Sequence, residues 1–334
     1  MKWLVLFSLL FLLPVRLQIM HYQILFHVVV AQEEESEEMS DDWSDEDSMD
    51  EAADEEEEEE SDSDKVYYTD VPLKVDPKKY KIYPFKELWS DGSDIAPCIA
   101  PDGKYIIFQS NRDVETRFSL YETFFINDEW TKPKMIILDP RAKFEGLPYF
   151  SGREGLIYYT AISPENYQPK GSIDIPADIW VTRRKKRKWG KPTHLLEPVN
   201  TEYEEVTPWV SPDGRFLYFA SNRPGGYGGF DIWISEYIGG EWSQPVNAGP
   251  SINSGFDELY PRLNPDGRLL YFSSNREGGV GGYDIYFSKR YKNRWREGEN
   301  AGSFINSPSN DFMNSIPASG DYLILSRGPS GEEK

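Results

Sequence analysis

Three Pro-Asp-Gly turns recurring at nearly one spacing constrain this chain more than any other feature. Pro101-Asp102-Gly103, Pro212-Asp213-Gly214 and Pro265-Asp266-Gly267 each precede an aromatic and β-branched run, and self-similarity at a fixed period marks a repeat fold. Weaker copies at Arg153-Glu154-Gly155 and Ser319-Gly320-Asp321 complete the series. The glycines at 103, 155, 214, 267 and 320 are then 52, 59, 53 and 53 residues apart. Proline presets φ, and glycine supplies the positive φ of a tight hairpin turn.

Each unit reads as four strands. In the third copy an innermost strand, residues 206–210, leads into the turn, and Phe216-Leu217-Tyr218-Phe219 leads out of it. A glycine-rich connector, residues 221–229, follows; the third strand opens at Asp231 and the fourth at Trp242. Four antiparallel strands repeated five times predict an all-β chain, a β-propeller of four-stranded antiparallel blades. The last copy supplies only two strands. Lys65-Val66-Tyr67-Tyr68-Thr69-Asp70 reads as a third strand and Tyr80-Lys81-Ile82-Tyr83-Pro84-Phe85 as a fourth, so N- and C-terminal strands together close a fifth blade and leave no open edge. A ring lacking a further blade beyond Gly331 is the alternative.

The Pro-Asp-Gly turns, Leu-Tyr-Phe return strands, Ser-Asn-Arg connectors and the Gly-Gly-Phe-Asp-Ile-Trp strand resemble the WD40-like repeats of TolB-type propellers. They are closer still to the propeller region of OmpA-associated envelope proteins. Ile252-Asn253-Ser254 with Asp257 and Glu258, and Ile305-Asn306-Ser307 with Asp311, match that family's inter-blade pattern. The resemblance covers about residues 95–331. It implies an envelope protein or cell-wall polymer as partner and the periplasm or envelope of a Gram-negative-type bacterium as location. Function does not follow from the fold, because one propeller hosts binding modules and enzymes alike. The second blade departs from the pattern, having lost its proline and gained an insertion at 163–175, and the first lacks the glycine-rich connector.

Charge divides the chain into three parts. Residues 1–31 carry an apolar run and end in Val29-Val30-Ala31, which reads as a signal peptide, or as an N-terminal anchor if it is not cleaved. Residues 33–64 hold 21 Asp and Glu and no Lys or Arg, whereas the whole chain has 57 acidic and 36 basic residues. All of the net charge of −21 therefore lies in the tract. Such a segment buries too little apolar surface to order itself, so 32–64 is expected to be a disordered acidic low-complexity linker before a charge-balanced propeller at 65–334. A spacer is its plainest role, with weak capture of Ca²⁺ or a basic partner as the sharper one.

Catalytic groups are scarce. The histidines are His21, His27 and His194, and the single cysteine, Cys98, excludes an intrachain disulfide. His194 reads as a solvated edge residue, Cys98 as a small core residue, and no Gly-x-Ser-x-Gly elbow is present. Asp178, Asp231 and Asp284 head successive third strands, which points to anchors for the connectors rather than to catalysis. No cofactor, metal site or nucleic-acid partner is expected, and the chain reads as a monomer. A carbohydrate-active enzyme using loop-face carboxylates is the rival reading.

Strand alternation sorts the loops. Connectors and inter-blade loops share face one, and the Pro-Asp-Gly turns and the hairpins between third and fourth strands share face two. Arg112, Asn222, Arg223, Asn275, Arg276, Asp257 and Asp311 are thus the candidate binding residues of face one, since binding groups concentrate on loops. Face two carries Arg183-Arg184-Lys185-Lys186-Arg187-Lys188, a candidate anion patch read as the one charge run not copied between blades.

Overall fold

At Gly103, Gly214 and Gly267 the backbone is left-handed, with φ of 68°, 70° and 71°, a conformation that costs glycine little. From these turns four blades follow in chain order, starting with the strands Asp94–Ile99, Phe144–Phe150, Glu205–Val210 and Glu258–Leu263. This computed structural model describes residues 25–31, 80–88, 90–113, 117–151, 155–163, 176–185, 188–292, 294–316 and 322–328, with the strands at 25–31 and 80–84 described through their backbone alone. The chain is an all-β propeller.

Strands within each blade pair antiparallel in sequence order. The outermost strand is split in two, as Glu241–Trp242 and Val246–Asn247 in blade 3. Pro133, Pro192 and Pro245 lie in the split of the first three blades, where a missing N–H cannot continue the ladder. A hydroxyl on the third strand covers the gap: Thr123, Thr182 and Ser235 donate to the carbonyls of Thr131, Gly190 and Ser243 at 2.5, 2.9 and 2.6 Å.

Innermost strands are joined across blades by a feature that sequence reading missed. Ala96, Leu147, Thr207 and Tyr260 have φ of 52°, 52°, 52° and 54°, and each precedes a proline at a register slip. These are bulges, and each turns a backbone N–H toward a neighbouring strand. Ala96 N–H donates to Ser326 Oγ, Leu147 N–H to Gln109 Oε1 and Thr207 N–H to Thr160 Oγ1, all at 3.2 Å. Blade 3 has Ala220 at the corresponding acceptor position, so Tyr260 N–H goes instead to Thr207 Oγ1 at 3.1 Å.

A further four-stranded sheet joins the two ends of the chain, in the order Tyr80–Pro84, Leu25–Ala31, Tyr322–Gly328 and Asn310–Ser315. Met313 N–H donates to Ser273 Oγ of blade 4 at 3.0 Å, and Ile99 N–H of blade 1 donates to Ser315 Oγ at 3.2 Å. The expected outer strand at Tyr80 is present. The expected third strand is corrected: Lys65–Asp70 lies outside the described residues, and Leu25–Ala31 fills that place, pairing with both neighbours. Leu-Phe-His-Val-Val-Val-Ala satisfies both readings, because the β-branched run that resembles the end of a leader also has high strand propensity. The tract at 33–64 and the insertion from 164 to 175 lie outside the described residues.

Apolar side chains fill the seams between sheets. Trp295 of blade 4 packs with Phe216 and Tyr218 of blade 3, and Trp189 of blade 2 with Tyr105 and Phe124 of blade 1.

Candidate functional site

Every innermost strand carries a buried acid as its first or second residue, and the repeat decides what neutralises it. Asp94, Glu205 and Glu258 meet the arginines that close the Ser-Asn-Arg connectors, Arg112 at 2.7 Å, Arg223 at 3.0 Å and Arg276 at 3.0 Å. Asp311 meets Arg327 at 2.6 Å. Asn222 and Asn275 accept the N–H groups of Glu204 and Asp257 at 3.0 and 2.8 Å. Asp257 accepts from Phe230 N–H at 2.9 Å and from the Tyr283 hydroxyl at 2.8 Å. The expected face-one residues Arg112, Asn222, Arg223, Asn275, Arg276, Asp257 and Asp311 are therefore distributed around the ring, each bonded within or between blades.

The third-strand aspartates anchor the connectors. Asp231 accepts the N–H groups of Tyr227 and Gly228 at 2.6 and 3.3 Å and the Asn247 amide at 2.8 Å. Asp284 repeats this with Val280, with Gly281 at 3.0 Å and with Asn300 at 2.9 Å. The fit requires glycine, since a Cβ on Gly226 would lie 2.2 Å from Asp231 Oδ2.

Blade 2 breaks this scheme. His194 occupies the position of Asn247 and Asn300, and its Nε2 lies 2.7 Å from Asp178 Oδ2. The ring packs on Trp180 at 4.8 Å with its side chain only 15% exposed, so the expectation of a solvated edge residue is corrected. A third-strand hydrogen bond draws it inward. Asp178 Oδ1, His194 Nδ1 and Trp180 Nε1 are buried without a hydrogen-bond partner among the described residues. Burial raises the Asp178 carboxyl above its ordinary range, against the hydrogen bond from His194. Glu204, across the seam in blade 3, is pushed up to about 7 by burial and then by repulsion from Glu205 and Asp178.

Blade 2 also lacks the arginine. Ser163 stands in its place, and among the described residues Glu145 accepts only the backbone N–H groups of Leu138 and Asp139, at 3.3 and 2.8 Å. Burial pushes Glu145 up to about 7, opposed by the nearby positive charge of Arg117. Arg117 Nε and Nη2 and Gln109 Nε2, from blade 1, are buried without partners among the described residues. The arrangement offers a hydrogen-bonded histidine–carboxylate pair in the same region as two carboxyls pushed up to about 7. Sequence reading missed it because the signal is a departure, His194 for asparagine and Ser163 for arginine.

Of the basic run, Lys186 and Arg187 lie outside the described residues. Arg183, Lys185 and Lys188 are exposed, but Arg184 lies over the rings of Tyr105 and Phe124 at 4.7 and 4.9 Å and meets Glu122 at 3.4 Å. The run is also not singular. Lys289, Arg290, Lys292, Arg294 and Arg296 form the corresponding hairpin of blade 4, diluted by Tyr291 and Trp295. Near the ring axis, Arg262 is buried and donates to the carbonyls of Pro208 and Pro261 at 3.2 and 2.8 Å. Cys98 is buried, as expected, and burial pushes its thiol up to about 11. Among the described residues no cluster of His, Cys, Asp and Glu is arranged to hold a metal.

Four-stranded antiparallel blades of this plan, each carrying its own acid at the innermost strand, define a β-propeller. No protein-family model matches the chain, and no curated protein matches it in sequence. TolB from Acinetobacter baumannii is similar in structure at 14% identity and a TM-score of 0.45, over 76% of this chain and 60% of that one. A protein assigned as TolB from Agrobacterium tumefaciens is similar at 18% identity and a TM-score of 0.44, over 74% of this chain and 94% of that one. So is an α-L-arabinofuranosidase from Lactobacillus brevis, at 13% identity and a TM-score of 0.44, over 72% of this chain and 85% of that one. The chain thus spans about three fifths of the length of the A. baumannii protein. These likenesses concern the fold.

Proposed function

We propose that the chain is a non-catalytic, five-bladed interaction module of the cell envelope, with the terminal sheet as its fifth blade. One observation carries this reading: the carboxylates that recur on face one have their oxygens committed to connector N–H groups or to arginines, so what the repeat copies is its own framework. Binding then falls to the surfaces the repeat leaves open, with an envelope protein or a cell-wall polymer as partner. The apolar N-terminus supports export. Because Leu25–Ala31 supplies a strand, cleavage after Ala31 is incompatible with this ring, and we propose an uncleaved, anchored leader.

Glu204 favours a second reading. A carboxyl pushed up to about 7 suits a proton donor to a glycosidic oxygen, and it lies near the Asp178–His194 pair. Pull-down from envelope extracts, run beside an assay for glycan degradation, separates the two. Retention of a partner without glycan products is the expected result. Turnover that disappears in Glu204→Gln while the melting temperature holds would establish the enzyme instead.

A further inference from the structure

Two seams of the propeller use the same positions and are finished differently. Between blades 1 and 2, Arg184 stacks on aromatic rings and Glu122 meets its charge at 3.4 Å. Between blades 3 and 4, Arg290 stands where Arg184 stands, and Ile234 stands where Glu122 stands. Arg290 and Arg294 are exposed, and neither meets a carboxylate among the described residues. Beside them lies a groove of about 380 Å³ walled by Phe216, Tyr218 and Trp295. This seam fits an aromatic group with acids next to it, and its own blades do not supply one.

The chain contains a segment of that chemistry. Trp43 is the one tryptophan of the acidic tract and is flanked as Asp41-Asp42-Trp43-Ser44-Asp45. Strand register shows where the tract leaves the propeller. Ala31 pairs with Tyr80 and Val30 with Tyr322, at the turn end of the strand Tyr322–Gly328. Lys289 pairs with Leu269, beside the Gly267 turn. Both connections open on face two, so residues 32–79 start and return on the face of blade 4's basic hairpin. The terminal sheet packs against blade 4, and with sheets spaced about 10 Å apart the groove on the far side of that blade is roughly 15–20 Å away. The stretch from Ala31 to Trp43 extends to about 40 Å.

We propose that Trp43 and its flanking aspartates occupy the groove between blades 3 and 4, the aspartates meeting Arg290 and Arg294 as Glu122 meets Arg184. The contact is salt-sensitive, since exposed charges are screened over about 8 Å at physiological ionic strength. An external acidic partner with an aromatic anchor would compete for the same groove.

The test uses the full chain, a chain with a Gly/Ser linker in place of residues 33–64, and a fluorescein-labelled peptide copying residues 37–49. Fluorescence anisotropy at low salt should show the peptide binding the linker chain. A tethered competitor at about 1 mM effective concentration weakens a ~100 µM peptide about tenfold, which is the deficit expected for the full chain. Arg290→Ser with Arg294→Ser in the linker chain, and separately Trp43→Ala in the peptide, should each weaken binding by a similar factor. Ile234→Glu, which supplies the carboxylate from within the seam, should do the same and covers the case in which the arginine pair fails to fold. Equal affinity for the full and linker chains, binding unmoved by these variants, or no binding at all would overturn the proposal. So would an equal loss from Arg183→Ser with Lys188→Ser, which would place the peptide on blade 2.

Discussion

Blades 2 and 4 follow one strand plan and differ in what their polar side chains face. In blade 4 the acid at the head of the innermost strand meets an arginine, and Asp284 is fastened by an asparagine amide and two connector N–H groups. In blade 2 the same positions hold Glu145 without that arginine and Asp178 fastened by a histidine. The partner is an amide in one blade and an imidazole in the other. The difference teaches that a residue copied by the repeat belongs to the framework, and that a residue which breaks the copy is where chemistry is free to vary.

The largest effect is expected in blade 4. Arg276→Met leaves Glu258 buried and unpaired, which should cost about 3–5 kcal/mol in urea unfolding. A loss of less than about 1 kcal/mol would mean that the ion pair does not organise the blade. Next comes the connector anchor. Asp284→Ala removes three hydrogen bonds to a carboxylate and should cost roughly 2–4 kcal/mol, whereas Asp178→Ala, with one described partner and one open oxygen, should cost about half as much. Equal losses would erase the contrast between the blades.

A smaller effect concerns pH. Glu145, Glu204 and the arginine-paired Glu205 have carboxyls raised to about 7 in the folded state, so between the ordinary carboxylate range and that value the native state binds more protons than the unfolded chain. Their contribution is then fully present in acid and is lost as pH rises through 7. Stability should fall between about pH 5 and pH 8 by about 1–3 kcal/mol, and Glu145→Gln should flatten the slope. A slope unchanged by that substitution would show that Glu145 is charged throughout.

The repeat made the blades legible, because glycine turns, alternating strands and connector glycines are local signals. Asp231 and Asp284 could be read as anchors for the same reason, whereas Asp178, expected to do the same, meets His194 and no connector N–H among the described residues. Three things were not local. The acid–arginine pairs join residues 16 or 18 apart across a hairpin, and the bulges at Ala96, Leu147, Thr207 and Tyr260 acquire meaning only when a neighbouring strand offers an acceptor. The third strand of the terminal sheet could not be told from a leader, because Leu25–Ala31 is apolar enough for either. Blade 4's basic hairpin was overlooked because Tyr291, Asn293 and Trp295 interrupt its charges.

The claim that recurring polar groups are framework while blade 2's are free comes down to one pair of substitutions. Glu258→Gln and Glu145→Gln should be compared in the full chain by urea unfolding at pH 8, above the value of about 7 to which burial pushes Glu145. Glu258→Gln should lose about 2–4 kcal/mol, because it leaves the half-buried Arg276 without its carboxylate. Glu145→Gln should lose nothing or gain stability, because it removes a buried charge that forms no ion pair among the described residues, the positive charge of Arg117 acting on it only from a distance. Losses of similar size at the two positions would contradict the account.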